Sequence, residues 1–201
     1  MREITKIEVQ QKDKTRVNIY LDDKFYAGIS AELCFSHNLK KGMEIDEEFL
    51  SNLIVEDEKT KAISRAVKYM GGNLKTTKQI RDYLRKKEYL PQTIDYVLEK
   101  MAEYKYLDDE SYARAYISTY SSKYGKVKLI SQLKERGIKE DIIDKVFAED
   151  VKIEDSLERV AQKYLKNKEI NNDVLIKLCR FLYSRGYESD AISSYVRSLR
   201  D

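Results

Sequence analysis

Tyrosines and basic side chains near the middle of the 201-residue chain are the residue types best suited to chemistry. Tyr116, Tyr120 and Tyr124 are spaced four apart, which places them on one face of a helix. The basic residues around this row are Arg114, Lys123, Lys126 and Lys128. Basic groups among exposed aromatic rings can contact phosphates and stack on bases. Alternatively, Tyr116 and Tyr120 belong to the core and the lysines form a solvated rim; the sequence favours neither reading.

The residue types needed for catalysis are sparse. His37 is the single histidine, and Cys34 and Cys179 lie 145 positions apart, without the spacing of a metal site or a disulfide scaffold. No glycine-rich phosphate motif is present, and Gly71-Gly72 is better explained as a helix break. The acidic run Asp108–Glu110 fits a helix start, where capping accounts for it. We therefore expect no enzyme activity, no cofactor and no metal site, and a protein that acts by binding.

The elements that would carry these residues repeat along the chain. A constant shift of 49 residues, without gaps, relates three copies of a stretch about twenty positions long. The aligned sets are Ile80, Leu129 and Leu178; Leu84, Leu133 and Leu182; Lys87, Arg136 and Arg185; Ile94, Ile143 and Ile192; and Leu98, Phe147 and Val196. Such periodicity indicates a tandem array in which each unit buries its faces against its neighbours. Gly137 and Gly186 end a helix in two copies, whereas Glu88 in the first predicts a different turn there.

Each copy is predicted to hold three helices, so the fold class is mainly α. It is expected to be an elongated array of three tandem three-helix repeats after a small antiparallel β-rich N-terminal domain. The predicted domains are residues 1–58 (β-rich), 59–106, 107–150 and 151–201 (repeats one to three). Charged residues make up 36% of the chain and mean hydropathy is −0.64, as expected for such an array. The net charge is +3, with basic residues concentrated in the repeats and acidic ones before them.

The first 30 residues alternate between apolar and polar side chains, which predicts three strands with one buried face. Ser30 is a predicted N-cap for a short helix, and Asp46 for a second, longer one. That second helix either continues into the first repeat or breaks flexibly near Asp57. There is no apolar run of 18 residues and no signal-peptide pattern, so we expect a cytoplasmic protein without a membrane segment.

The second repeat also resembles a known family. The segment LDDESYARAYISTYSSKYGKVKLISQLKERGIKEDIID is similar to the signature of the RecX regulatory proteins. The matching motifs are Leu107-Asp108-Asp109, Tyr112-Ala113-Arg114, the basic stretch Lys123 to Lys128 around Gly125, and the turn from Leu133 to Ile138. The resemblance extends over about residues 60 to 200. The chain departs from the family pattern at Ser121-Ser122, where members are richer in arginine.

The resemblance implies a regulator of the RecA recombinase in DNA repair and recombination. Such proteins bind RecA and its filament on single-stranded DNA, in the filament groove or at the growing end, and modulate, mainly by inhibiting, ATP hydrolysis and strand exchange. A monomer with weak direct DNA binding is expected. The candidate contact residues are Arg81, Arg85, Lys86, Arg114, Lys123, Tyr124, Lys126, Lys128 and Arg136.

Two other classes of function remain open from the sequence. The helix pairs could act as helix-turn-helix units of an autonomous DNA-binding protein. The predicted third helices, however, carry acidic residues that would repel phosphate, namely Asp95, Glu99, Glu140, Asp141 and Asp144. A scaffold for an unrelated partner is the third option.

Overall fold

The computed structural model describes residues 1–149 and 154–200, and gives four strands and ten helices there. The strands are β1 Arg2–Val9, β2 Arg16–Leu21, β3 Lys24–Ser30 and β4 Glu44–Ile45. The helices are α1 Ala31–Ser36, α2 Glu47–Met70, α3 Thr77–Lys86, α4 Pro91–Glu103, α5 Asp109–Tyr120, α6 Lys126–Glu135, α7 Glu140–Ala148, α8 Glu154–Leu165, α9 Asn172–Ser184 and α10 Ser189–Ser198. Within these residues, no helix has the length and apolar content needed to cross a bilayer.

The chain divides into two compact units. The first comprises Met1–Gly71 and Leu84–Lys100, and the second comprises Gly72–Tyr83 and the described residues from Met101 onward. The mainly α fold class, with an antiparallel sheet followed by tandem three-helix repeats, is confirmed. Helices α2, α3 and α4 form the first repeat, α5 to α7 the second, and α8 to α10 the third. The predicted boundary between residues 150 and 151 lies outside the described residues.

The N-terminal sheet has the strand order β3-β2-β1-β4, with all neighbours antiparallel. Alternate side chains of β2 are buried, as the period of two predicts. Its core includes Ile4, Ile19, Leu21 and Ile29, each fully buried. The prediction of three strands missed β4, because two residues are too few to show alternation.

Helix α2 is one continuous helix of 24 residues, and the predicted alternative of a flexible break near Asp57 is wrong. Asp57 is 8% exposed, and its carboxylate accepts a hydrogen bond of 2.8 Å from the backbone N–H of Ser30. The same carboxylate pairs with the Arg16 guanidinium at 2.9 Å. A buried carboxylate with these partners holds the middle of α2 against the sheet, because leaving it unpaired would be costly.

The aligned positions of the three repeats have the same environment. Leu84, Leu133 and Leu182 are each fully buried on the second helix of their repeat. The isoleucines Ile94, Ile143 and Ile192 are at most 3% exposed on the third helix. In the first repeat, Thr76 and Gln79 form the predicted reciprocal capping box at the start of α3. The repeat predicted from the 49-residue shift is therefore present in both sequence and packing.

The turn after the second helix is the same in all three repeats, so the different turn expected at Glu88 is wrong. Glu88 has φ +62°, in the left-handed region also occupied by Gly137 at +83° and Gly186 at +81°. In each copy the residue after it donates its backbone N–H to the carbonyl oxygen of the aligned leucine, at 3.1 to 3.3 Å. The strain of a non-glycine residue there costs about 1 kcal/mol and is outweighed by the helix packing that the three repeats share.

Neighbouring repeats are joined by contacts that follow the same shift. The Thr76 hydroxyl donates to the carbonyl oxygen of Arg136 at 2.7 Å. One repeat later, the backbone N–H of Gly125 donates to the carbonyl oxygen of Arg185 at 2.9 Å. The N-terminus of the second helix in one repeat is thus hydrogen-bonded to the C-terminus of the second helix in the next repeat.

Candidate partner-binding surface

Charge is divided between the second and third helices of the repeats. Helix α3 has four basic and one acidic residue, and α6 has three and one. Their partners α4 and α7 each have three acidic and one basic residue. The carboxylates of Asp95 and Glu99 on α4 are exposed, as are those of Glu140, Asp141 and Asp144 on α7. The second helices are therefore the cationic elements of the first two repeats.

The three predicted contact residues on α3 are accessible to different degrees. Arg85 and Lys86 are exposed in the first unit, and Arg81 is half-buried in the second unit. All three come from the basic α3, and Lys86 ends it, where cations are favoured by the helix dipole. The remaining six predicted residues belong to the second unit, around α5 and α6.

The predicted tyrosine row exists and begins one turn earlier than expected. The ring centroids of Tyr112 and Tyr116 are 6.1 Å apart, those of Tyr116 and Tyr120 are 4.6 Å apart, and those of Tyr120 and Tyr124 are 6.2 Å apart. Tyr116 is 9% exposed, its hydroxyl donates to the Gln132 side chain at 2.7 Å, and burial raises its pKa. Tyr116 is thus a core residue, while Tyr120 and Tyr124 are half-buried against the same core.

Two arginines stack on this row. The Arg136 guanidinium carbon is 4.6 Å from the Tyr116 ring centroid, and Arg136 also donates to the Gln132 carbonyl oxygen at 2.8 Å. The Arg185 guanidinium carbon is 5.5 Å from the Tyr124 ring centroid. These are cation–π geometries, in which a flat cation extends the aromatic surface. Arg185 was not among the contact residues predicted from the sequence, although its alignment with Arg136 in the 49-residue repeat could have indicated it.

The three lysines lie beside the row. Lys123 is exposed in the turn between α5 and α6, and its backbone N–H donates to the Tyr120 carbonyl oxygen at 2.9 Å. Lys126 is exposed, with its ammonium 5.7 Å from the Phe147 ring centroid. Lys128 is half-buried, and its backbone packs directly against Gly186 of the third repeat. The start of α6 therefore presents a cationic edge next to half-buried tyrosine rings.

Arg114 differs from Lys123, Lys126 and Lys128 because carboxylates within the fold balance its charge. It pairs with Glu110 at 2.7 Å and with Glu149 at 2.6 Å, and Glu110 also receives Lys145 at 2.7 Å. Hydrogen bonds from Lys145 and Arg114 lower the pKa of Glu110, so its carboxylate stays charged. A phosphate would have to displace these carboxylates to reach Arg114, which makes it a weaker candidate than the three lysines.

We use the name "tyrosine–lysine surface" for this group of residues in the second unit. Its members are Tyr120, Lys123, Tyr124, Lys126, Lys128, Arg136 and Arg185. The group combines ammonium and guanidinium groups with half-buried aromatic rings, a combination that suits phosphate contact and stacking on a base.

Comparison with known proteins identifies three matching family profiles. The profile of the regulatory protein RecX N-terminal domain matches residues 2–46. The profile described as the first three-helix domain of RecX matches residues 62–101, and that of the second matches residues 108–146. The second of these includes α5 and α6, and with them most of the tyrosine–lysine surface.

Relatives and solved structures agree with these profiles. The regulatory protein RecX of Clostridium tetani is 37% identical over 99% of this chain and 95% of its own length. The regulatory protein RecX of Bacillus subtilis is 32% identical over 95% of this chain and 75% of its own length. A crystal structure of a regulatory protein RecX matches with a TM-score of 0.69 and 25% identity, covering 96% of this chain and 98% of that one. The crystal structure of RecX from Lactobacillus salivarius matches in fold, with a TM-score of 0.64, 20% identity and coverage of 72% and 98%. The chain therefore belongs to the RecX family of regulatory proteins.

Proposed function

We propose that this chain regulates the RecA recombinase by binding the RecA filament on single-stranded DNA and lowering its ATP hydrolysis and strand exchange. The observation that carries the proposal is family membership over nearly the whole chain, including 99% coverage by the Clostridium tetani relative. The regulatory role is that of the family, and binding without catalysis fits the residue types of the chain.

The tyrosine–lysine surface supports a nucleic-acid contribution to this binding. Lys123 and Lys126 are exposed and free to neutralise phosphates, and each neutralised phosphate releases counterions. Tyr124, which is half-buried in the same turn as Lys123, has the Arg185 guanidinium 5.5 Å from its ring centroid. Binding of this kind is insensitive to base sequence, as a filament regulator requires.

The acidic third helices weigh against the helix-turn-helix alternative. A recognition helix must insert among phosphates in the major groove. Asp141 and Asp144 are exposed on α7, and Asp95 is exposed on α4, so these helices would repel the backbone they had to enter. This is why we favour a filament partner over autonomous recognition of duplex DNA.

The test is inhibition of ATP hydrolysis by RecA on single-stranded DNA, measured against salt. A triple variant, Lys123→Gln, Lys126→Gln and Lys128→Gln, removes one cation from the turn before α6 and two from its first turn. Loss of three contacts to a single strand is expected to flatten the slope of log affinity against log salt by about 2. Between about 50 and 200 mM salt, the native chain would then lose about 20-fold more affinity than the variant.

The matched control removes the same charge from the first unit. Lys14, Lys40 and Lys41 are exposed, and their triple glutamine variant should keep the native salt slope. Equal inhibition by the α6 variant and the native chain at every salt concentration would show that these three lysines do not contact DNA. Failure of the native chain to inhibit RecA, or tight sequence-specific binding to duplex DNA without RecA, would overturn the proposed function.

A further inference from the structure

A stack of aromatic rings and cations in the third repeat contacts the tyrosine–lysine surface. The centroids of the Tyr164 ring on α8 and the Phe181 ring on α9 are 4.7 Å apart, with 24° between the ring planes. The Lys168 ammonium is 3.3 Å from the Tyr164 centroid, and the Arg185 guanidinium carbon is 5.0 Å from the Phe181 centroid. We call Tyr164, Lys168, Phe181 and Arg185 the "third-repeat stack". Because Arg185 also lies 5.5 Å from the Tyr124 ring centroid, one side chain joins the two surfaces.

Helix geometry fixes the positions of these side chains. Phe181 and Arg185 are four residues apart at the end of α9, and Lys177 lies one turn before Phe181 on the same face. After α8 the chain turns at Asn167, whose φ is +64°. The backbone N–H of Lys168 then donates to the last carbonyl oxygen of α8 at 2.9 Å. Two helices therefore bring three cations to one pair of stacked rings.

The second repeat has a similar arrangement. The 49-residue shift aligns Lys177 with Lys128 and Arg185 with Arg136. Arg136 lies 4.6 Å from the Tyr116 ring centroid, as Arg185 lies against a ring of its own repeat. In both repeats a guanidinium at the end of the second helix contacts an aromatic ring, and a lysine precedes it by two turns. The residue types that suit nucleic-acid contact in the second repeat thus occur again in the third.

The charge around the third-repeat stack is positive. Residues 156–200 contain nine basic and five acidic side chains, an excess of four, whereas the whole chain has a net charge of +3. Lys168 and Lys177 are exposed, and neither forms an ion pair with a side chain that the structure describes. The acidic neighbours are Glu169 and Asp173, and Asp173 lies in the first turn of α9, where the helix dipole favours a carboxylate.

We infer that the third-repeat stack is a second contact site for single-stranded nucleic acid, continuous with the tyrosine–lysine surface. This rests on the nucleic-acid contact in the proposed function. The two rings face each other and their cations, so a strand meets the ring edges and does not insert between them. The exposed lysines neutralise phosphates, and the rings offer apolar contact to sugars and bases. An acidic polypeptide would use the cations but gain nothing from the rings. One strand can therefore extend from Lys123 past Arg185 to Lys168.

The first test measures binding of the full-length chain to labelled oligo(dT), without RecA, at several salt concentrations. Lys168→Gln with Lys177→Gln should flatten the slope of log affinity against log salt by about 1.4, because two contacts to a single strand are lost. Between about 50 and 200 mM salt, the native chain would then lose about sevenfold more affinity than this variant. The control Lys40→Gln with Lys41→Gln removes two exposed charges from the first unit and should keep the native slope. A native slope in Lys168→Gln with Lys177→Gln would overturn the inference, and loss of slope in the α6 triple variant would still support the proposed function.

Ultraviolet crosslinking to oligo(dT) tests the rings independently of charge. Tyr164 is half-buried, whereas Tyr183 lies on the opposite face of α9 from Phe181 and is 51% exposed, so accessibility alone would favour Tyr183. Mass spectrometry of the crosslinked peptides should identify Tyr164 and not Tyr183, and the reverse result would overturn the inference.

A competitor identifies the class of ligand. Poly-L-glutamate at the same concentration of charge should displace oligo(dT) poorly, because it cannot use the rings. Equal displacement would show a general site for anions and overturn the assignment to a single strand. If the native chain inhibits RecA but does not bind oligo(dT), this inference fails while regulation of RecA stands.

Discussion

Gly186 offers the sharpest test of how the repeats are joined. It lies at the junction of the second and third repeats, with φ +81°, and an added Cβ would overlap the backbone N and Cα of Lys128. Its carbonyl oxygen accepts a hydrogen bond of 3.1 Å from the Val127 N–H, and the preceding Arg185 carbonyl accepts one of 2.9 Å from Gly125. We expect Gly186→Ala to force the two repeats apart at this point.

The expected cost can be built from these contacts. An alanine in the left-handed region destabilises the folded state by about 1 kcal/mol. The lower entropy of the unfolded alanine variant offsets about 0.5 kcal/mol of this loss. Overlap with backbone atoms, which cannot rotate away, adds about 1–3 kcal/mol. Weakening of the two junction hydrogen bonds adds about 1 kcal/mol. The free energy of unfolding should therefore fall by about 2.5–4.5 kcal/mol.

Gly137→Ala is the matched control, because it changes the aligned residue of the second repeat. Its φ is +83°, and the new Cβ would meet the Lys78 side chain, 2.5 Å from its Cβ and 2.6 Å from its Cδ. The Cγ and Cδ of the exposed Lys78 can rotate aside but its Cβ cannot, so strain and this single overlap, less the same entropy gain, predict a loss of about 1.5 kcal/mol. Urea unfolding gives both free energies if the m-values stay native. Equal losses for the two variants would refute the close backbone contact at Gly186.

Three further substitutions test local features of the fold by the same urea measurement. Glu88→Gly should stabilise the chain by about 0.5 kcal/mol, because it relieves left-handed strain at φ +62° in exchange for a more flexible unfolded chain; a loss would contradict this. Asp108→Ala should cost about 1 kcal/mol by removing the N-cap of α5. Hydrogen bonds from Ser111 lower the pKa of Asp108 in the folded state. The loss of stability in Asp108→Ala should therefore be complete above the ordinary pKa of aspartate, about 3.9, and should disappear as the pH falls through the lowered pKa. Tyr116→Phe should cost about 1 kcal/mol through loss of the 2.7 Å bond to Gln132, and an unchanged midpoint would show that this bond contributes nothing.

The repeat architecture could be predicted because buried positions on adjacent helices obey one period. Leu84, Leu133 and Leu182 share a column in the sequence and are each fully buried in the structure. Capping residues such as Thr76 and Asp108 were equally readable, since their side chains bond to their own helix start. Both signals are local or strictly periodic, and neither requires knowledge of the tertiary fold.

Features that depend on a distant partner could not be read in this way. The left-handed Glu88 looked incompatible with the glycine rule, yet packing of the flanking helices imposes the turn. The sequence around Asp57 is typical of a charged linker, because its partners, Arg16 and the Ser30 N–H, are distant along the chain. The ion pair of Arg114 with Glu149 was hidden likewise, since Glu149 is far along the sequence, whereas its pair with Glu110 has the local i,i+4 spacing.

The tyrosine–lysine surface arises where the second repeat departs from the common pattern. The positions that align with Tyr116 are Val67 and Leu165, and those that align with Tyr124 are Lys75 and Asp173. Only the second repeat therefore carries the aromatic row, whereas the cation that stacks on Tyr124 comes from the third repeat. The shared leucine and isoleucine columns are constrained by packing, so the aromatic part of this surface arises where the copies differ, whereas its two arginines come from the shared column of Lys87, Arg136 and Arg185. In a tandem helical protein, the residues that break the repeat are accordingly the first place to look for function, provided that the neighbouring repeat is considered with them.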